Sequence, residues 1–79
     1  MEFSHRAADQ VRKLPGPIRL RIYEKLDEAA ERPARHVARL KRVRAYRLRV
    51  GDYRVILDID WERKVLQILA VRHRRQAYR

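Results

Sequence analysis

The feature that most constrains this chain is a change of hydrophobic period at Tyr46. From there Tyr46-Arg47-Leu48-Arg49-Val50 alternates apolar or aromatic with basic residues, Gly51-Asp52 interrupts the pattern, and Tyr53-Arg54-Val55-Ile56-Leu57-Asp58-Ile59 takes it up again. A period of two is the signature of a half-buried strand, and two such runs separated by Gly-Asp form a hairpin. With Gly51 and Asp52 as the loop, Val50 lies opposite Tyr53, Arg49 opposite Arg54, Leu48 opposite Val55 and Arg47 opposite Ile56. Tyr46, Leu48, Val50, Tyr53, Val55 and Leu57 then occupy the face that packs on the rest of the fold. Arg47, Arg49 and Arg54 occupy the other.

The hairpin needs partners to bury its apolar face, and the flanking sequence supplies them. Asp60 to Arg63 reads as a second turn, and Lys64 to Val71 as a third strand, apolar on both faces and therefore central. Before the hairpin, Ser4 is a candidate N-cap for a helix whose Ala7, Val11 and Leu14 share one side. Pro15-Gly16-Pro17 ends that helix and Pro17 opens another, with Ile18, Ile22, Leu26, Ala29 and Ala30 as its stripe. Pro33 stops it, leaving Arg32 to Arg44 as a basic connection whose Val37, Leu40 and Val43 can reach the core. The expected fold is α+β: two N-terminal helices packed on a small, mostly antiparallel β-sheet. With 79 residues there is room for one such domain, 1–79.

Charge indicates what the open face is for. Lys and Arg number 21 against 10 Asp and Glu, a net charge of +11. The excess is concentrated behind residue 35, where 13 basic residues face 4 acidic ones. A basic surface of this kind calls for a polyanion, nucleic acid first. The absence of cysteine excludes disulfide scaffolds, Cys-ligated zinc and thiol nucleophiles. No apolar run is long enough to span a membrane and no signal-peptide pattern opens the chain, so a cytoplasmic protein is expected.

Like charges directly opposed on a sheet cost roughly a fraction of a kcal/mol when solvated. Arg47, Arg49 and Arg54 on one face are either ordinary solvated side chains or a cradle in which a phosphate turns repulsion into affinity. The residues that follow the third strand, Arg72, His73, Arg74, Arg75 and Tyr78, can reach the same face and add charge and a hydroxyl. A phenol ordinarily titrates near pH 10 (about), and neighbouring guanidinium groups lower that value, so Tyr78 is a candidate base. Tyr46 and Tyr53 belong to the core side by register. Trp61 in the second turn can stack on RNA or fill a partner's pocket, though local packing is the commoner role. His5, His36 and His73 are too scattered for a metal set, and Asp58 with Asp60 reads as strand-end solvation. No metal or cofactor is expected.

The segment Tyr46 to Ile56, YRLRVGDYRVI, followed by Val71 to Arg79, VRHRRQAYR, resembles the RelE branch of the RelE/ParE toxin superfamily. The resemblance extends over nearly the whole chain, including Phe3-Ser4 and the paired helices. It implies a type II toxin that acts as a ribosome-dependent messenger-RNA endonuclease, without a metal, and that is neutralised by a cognate antitoxin in a hetero-oligomer. Position by position, it implies that Arg54 contacts the scissile phosphate, that Arg74 stabilises the transition state or serves the leaving group, and that Tyr78 helps activate the ribose 2′-hydroxyl. Arg47 and Arg49 would bind and orient the RNA backbone, with Arg72, His73 and Arg75 as further RNA contacts. Arg47 and Arg49 stand where some relatives carry Lys. Only Met1-Glu2-Phe3 precede Ser4, where the family pattern has a longer first strand, so a very short first strand is expected. A ParE-like gyrase inhibitor and a non-catalytic basic nucleic-acid-binding module are the alternatives.

Overall fold

Ser4 starts the first helix as its hydroxyl allows, accepting the Ala7 N–H at 3.0 Å. In the computed structural model, which describes residues 1–77, the elements in chain order are β1 (Glu2–Phe3), α1 (His5–Arg12), α2 (Gly16–Glu31), α3 (Pro33–His36), β2 (Ala38–Arg39), β3 (Tyr46–Val50), β4 (Tyr53–Asp60), β5 (Val65–His73) and α4 (Arg74–Ala77). The strands form one sheet in the order β1-β5-β4-β3-β2. β1 runs parallel to β5 and every other pair is antiparallel. The α+β expectation holds, and so does the hairpin register: Val50 pairs with Tyr53, Arg49 with Arg54, Leu48 with Val55 and Arg47 with Ile56. Gly51 has φ of 58° at the first loop position, the left-handed conformation that a two-residue hairpin turn beginning with glycine requires.

The core lies between the helices and one face of the sheet. Ala7 and Val11 of α1 and Ile22, Leu26 and Ala29 of α2 bury against Leu48, Val50, Val55, Leu57, Ile59, Leu66, Ile68 and Val71. Leu14, Ile18, Val37, Tyr46 and Tyr53 pack around them, half-buried. Ala30, expected in the stripe of α2, is exposed because Ala29 already takes the inward position at the helix's last turn.

Two stretches depart from the sequence expectation. The connection after α2 is not plain loop: Pro33 restarts a helical turn as its first residue, and Ala38–Arg39 adds the edge strand β2 against β3. Beyond it Leu40 N–H donates to the Ala45 carbonyl at 3.0 Å. That bond closes a small loop and leaves Val43 outside the core, 62% exposed.

The second departure is a bulge in β5. Ile56 pairs with Ala70, yet Leu57 pairs with Ile68, so Leu69 has no opposite residue. One extra residue reverses the alternation of every side chain beyond it. Leu66 and Ile68 point into the core before the bulge and Val71 does so after it. Arg72 therefore emerges on the face opposite the helices, paired with Arg54, while His73 pairs with Tyr53 on the helix side. The outer edge of β5 at this point is not covered by β1, which reaches only Gln67 and Ile68. Side chains of the first helix region close it instead. Ser4 Oγ donates to the Leu69 carbonyl at 2.9 Å, and Gln10 Oε1 accepts the Val71 N–H at 2.7 Å.

Candidate nucleic-acid interface

On the face away from the helices, register alone builds a row of cations. Arg49 of β3, Arg54 of β4 and Arg72 of β5 are direct cross-strand neighbours, with Arg47 one pleat further along β3. Arg47, Arg49 and Arg72 are exposed and Arg54 is half-buried. Arg49 Nε donates to the Gly51 carbonyl at 3.3 Å, which holds that guanidinium over the turn.

The chain after β5 is pinned to the same turn. Arg74 N–H donates to the Asp52 carbonyl at 2.7 Å, and the Arg74 guanidinium lies 3.8 Å from the Asp52 carboxylate. His73 meets Tyr53 edge to face with ring centroids 5.1 Å apart, and its Nδ1 accepts the Arg75 N–H at 3.3 Å. These contacts direct α4 back across the start of β4 and bring Arg74 beside the sheet arginines.

Between this corner and α3 lies a pocket of about 580 Å³, lined by Arg47, Arg49, Arg54 and Arg74 together with Gly51 and Tyr53, and by residues 35–38. None of the described residues lining it carries a carboxylate. A wall of guanidinium groups, with no carboxylate among the described lining residues, is suited to a phosphodiester, which each fork can grip through two N–H groups. Arginine is too basic to move protons, so the chemistry these four side chains offer is charge stabilisation at phosphorus.

The expected site residues divide into three groups. Arg47, Arg49, Arg54 and Arg74 come together in the pocket. Arg72 shares their sheet face without lining the pocket, while His73 sits on the helix side against Tyr53, and Arg75 is exposed on α4. Tyr78 lies outside the described residues. Sequence reading missed Arg35 and His36, because Pro33 read only as a stop; its preference for the first position of a helix was the available signal. Trp61 meets Tyr46 edge to face at 6.4 Å and remains 56% exposed, at the end of the sheet away from the Gly51 turn. Among the described residues, no three His, Cys, Asp or Glu side chains are placed to share a metal ion, and no helix is long and apolar enough to cross a membrane.

Comparison with known proteins fits this arrangement into a class. The family model described as the ParE toxin of type II toxin–antitoxin systems matches residues 1–78. The chain belongs to that family, within the RelE/ParE superfamily, and is a toxin of a type II toxin–antitoxin system. Among solved structures, it is similar to the toxin–antitoxin complex RelBE2 from Mycobacterium tuberculosis, at 30% identity over 92% of this chain and 94% of that one, with a TM-score of 0.84. The archaeal RelE–RelB complex from Pyrococcus horikoshii is similar at 29% identity over 92% and 91%, TM-score 0.77. The intact RelBE complex of E. coli follows at 28% over 89% of both chains, TM-score 0.74. No curated protein sequence matches the chain.

Proposed function

We propose that this toxin is a ribosome-dependent messenger-RNA endonuclease that inhibits translation, and that its pocket holds the scissile phosphate. The observation that carries the reading is the convergence of Arg47, Arg49, Arg54 and Arg74 on one pocket that has no carboxylate in its lining. The likeness to RelE chains over nine-tenths of the sequence supports it. Cleavage would proceed by attack of the ribose 2′-hydroxyl on the adjacent phosphate, leaving a 2′,3′-cyclic phosphate and a free 5′-hydroxyl. Arg54 contacts the phosphate, Arg47 and Arg49 hold the flanking backbone, and Arg74 faces the developing negative charge. Tyr78, by its place in the sequence, assists removal of the 2′ proton. The protein partner is a cognate antitoxin, and the +9 balance of the residues after position 35 favours an acidic or amphipathic segment from it.

A second reading is favoured by the family match itself, which names ParE toxins: the same surface would then engage DNA gyrase without cutting RNA. One experiment separates the two. The purified toxin is incubated with messenger RNA, alone and on programmed ribosomes, and new ends are mapped for the parent and for Tyr78→Phe; a gyrase supercoiling assay runs beside it. Cleavage on ribosomes alone, weakened by Tyr78→Phe, is the expected result. No cleavage by folded protein, with loss of supercoiling, would replace the first reading by the second.

A further inference from the structure

Cutting RNA through its 2′-hydroxyl needs two proton movements. The 2′ oxygen bonds to phosphorus and loses its proton; the bond from phosphorus to the 5′ oxygen breaks, and that oxygen takes a proton as it leaves. Four arginines cannot donate the second proton, since a guanidinium holds its own too tightly. Some other group at the pocket has to do so.

The α3 wall supplies one. Residues 35–38 line the pocket beside the sheet arginines, Ala38 pairing with Arg47 across β2 and β3, and among them His36 is half-buried at the end of α3. Of the described lining residues, only His36 carries an imidazole, the side-chain type whose ordinary charge change falls between about pH 5 and 8. Among the described residues its ring takes part in no hydrogen bond, so both nitrogens are available to a ligand. Its position is fixed by the backbone on either side. Pro33 opens the helical turn, and Val37 N–H donates to the Pro33 carbonyl at 3.1 Å while the Val37 side chain packs on the core. The charged groups around the pocket are Arg35 on the same turn, Arg47 and Arg49 on β3, Arg54 on β4 and Arg74 on α4, the last with the Asp52 carboxylate 3.8 Å from its guanidinium. The nearest acidic residues in sequence are Glu28 and Glu31, both exposed, on α2.

We infer that His36 is a catalytic residue of this site, the general acid that protonates the leaving 5′ oxygen. The inference rests on the endonuclease reading above. The imidazolium gives its N–H proton to the departing oxygen and becomes neutral imidazole; solvent water returns the proton between turnovers. The 2′ proton goes to a separate base, the role proposed above for Tyr78 from its place in the sequence. The arginine-lined wall binds the phosphate and the α3 wall completes the proton transfer.

The test uses messenger RNA on programmed ribosomes, with the 5′ oxygen at the mapped cut replaced by sulfur. A thiolate leaves without needing a proton, so loss of the general acid does not slow it. His36→Gln should cut ordinary RNA about 100-fold or more slowly and cut the sulfur-bridged RNA within a few-fold of the parent rate. Equal slowing on both substrates, or none on either, would overturn the assignment. The parent protein gives an independent readout that needs no variant. Its rate on the oxygen substrate, relative to the sulfur one, should fall as pH rises from 5 to 8 (about). A constant ratio would contradict the proposal even if His36→Gln failed to fold. If the parent cuts neither RNA, the endonuclease reading fails and this inference falls with it; if the parent cuts and His36→Gln cuts equally well, only the inference fails.

Discussion

The two faces of the one sheet do opposite things. Toward the helices, Leu48, Val50, Val55, Leu57, Leu66 and Ile68 are all buried, and among the described residues no charged side chain is buried with them. Toward solvent, Arg49, Arg54 and Arg72 stand in a row across three strands. A strand's period of two means that neighbouring residues in sequence serve different ends. The covered face removes apolar surface from water and holds the fold together. The open face gathers like charges, which gives up a little stability and keeps a surface ready for an anion. Stability and toxicity should therefore be separable by changing adjacent residues.

The sharpest way to break the separation is in β5. Inserting one alanine between Val71 and Arg72 shifts the alternation by one residue and turns Arg72 toward the core, where an uncompensated charge costs roughly 3–5 kcal/mol, whereas deleting Leu69 leaves Ala70 opposite Ile56 and Arg72 outward. The expected outcome is loss of the cooperative unfolding transition, followed by circular dichroism on urea titration. A folded insertion variant would show that the alternation of β5 does not set the facing of Arg72.

Adjacent residues of β4 give the next largest contrast. Leu57 is fully buried, whereas Ile56 is half-buried on the arginine face. Leu57→Ala should lower unfolding free energy by about 2–5 kcal/mol, and Ile56→Ala by clearly less. Equal losses would mean that the open face is packed as tightly as the covered one.

Gly51 joins the two strands, so its effect should be intermediate. A methyl group there would sit 3.5 Å from the Arg21 guanidinium, an ordinary contact, so space is not the obstacle. The φ of 58° is, because an L side chain in that conformation costs roughly 1–2 kcal/mol. Gly51→Ala should lose about that amount in denaturant titration, and Gly51→Asn less, since Asn tolerates the left-handed region.

The smallest effect belongs to Asp9 on α1, far from both faces of the hairpin. Hydrogen bonds from Lys13 first and Arg12 next hold its carboxyl below the ordinary 3.8. A carboxyl lowered in the folded state adds stability above its unfolded value and loses it as pH falls through the folded one. The carboxyl lies at the solvated helix surface, so only a slight fall in the unfolding midpoint is expected below about pH 4, and Asp9→Asn should remove that fall. A large change would mean that the helix surface carries more of the stability than the core account allows.

How far the sequence discloses this molecule depends on the length of each pattern. The hairpin is legible because ten residues alternate around Gly51-Asp52 and the alternation fixes its register. Helices α1 and α2 are legible from their stripes and their Ser4 and Pro17 starts. The α3 turn and strand β2 are not, because elements of four and two residues show no period. The bulge at Leu69 is hidden for a different reason. Lys64 to Val71 is apolar almost throughout, and a run with no alternation cannot display its interruption. The same holds at the site. Arg47, Arg49 and Arg54 could be placed together from the hairpin alone, whereas Arg35 and His36 arrive through α3 and could not.

The account's central claim is that the arginine face works without holding up the fold, and the double variant Arg49→Ala/Arg54→Ala tests it most directly. The measurement pairs growth arrest on induction with the circular dichroism spectrum and urea midpoint of the purified protein. The account predicts a native spectrum, a midpoint within about 1 kcal/mol of the parent, and no growth arrest. A folded double variant that still arrests growth would contradict it.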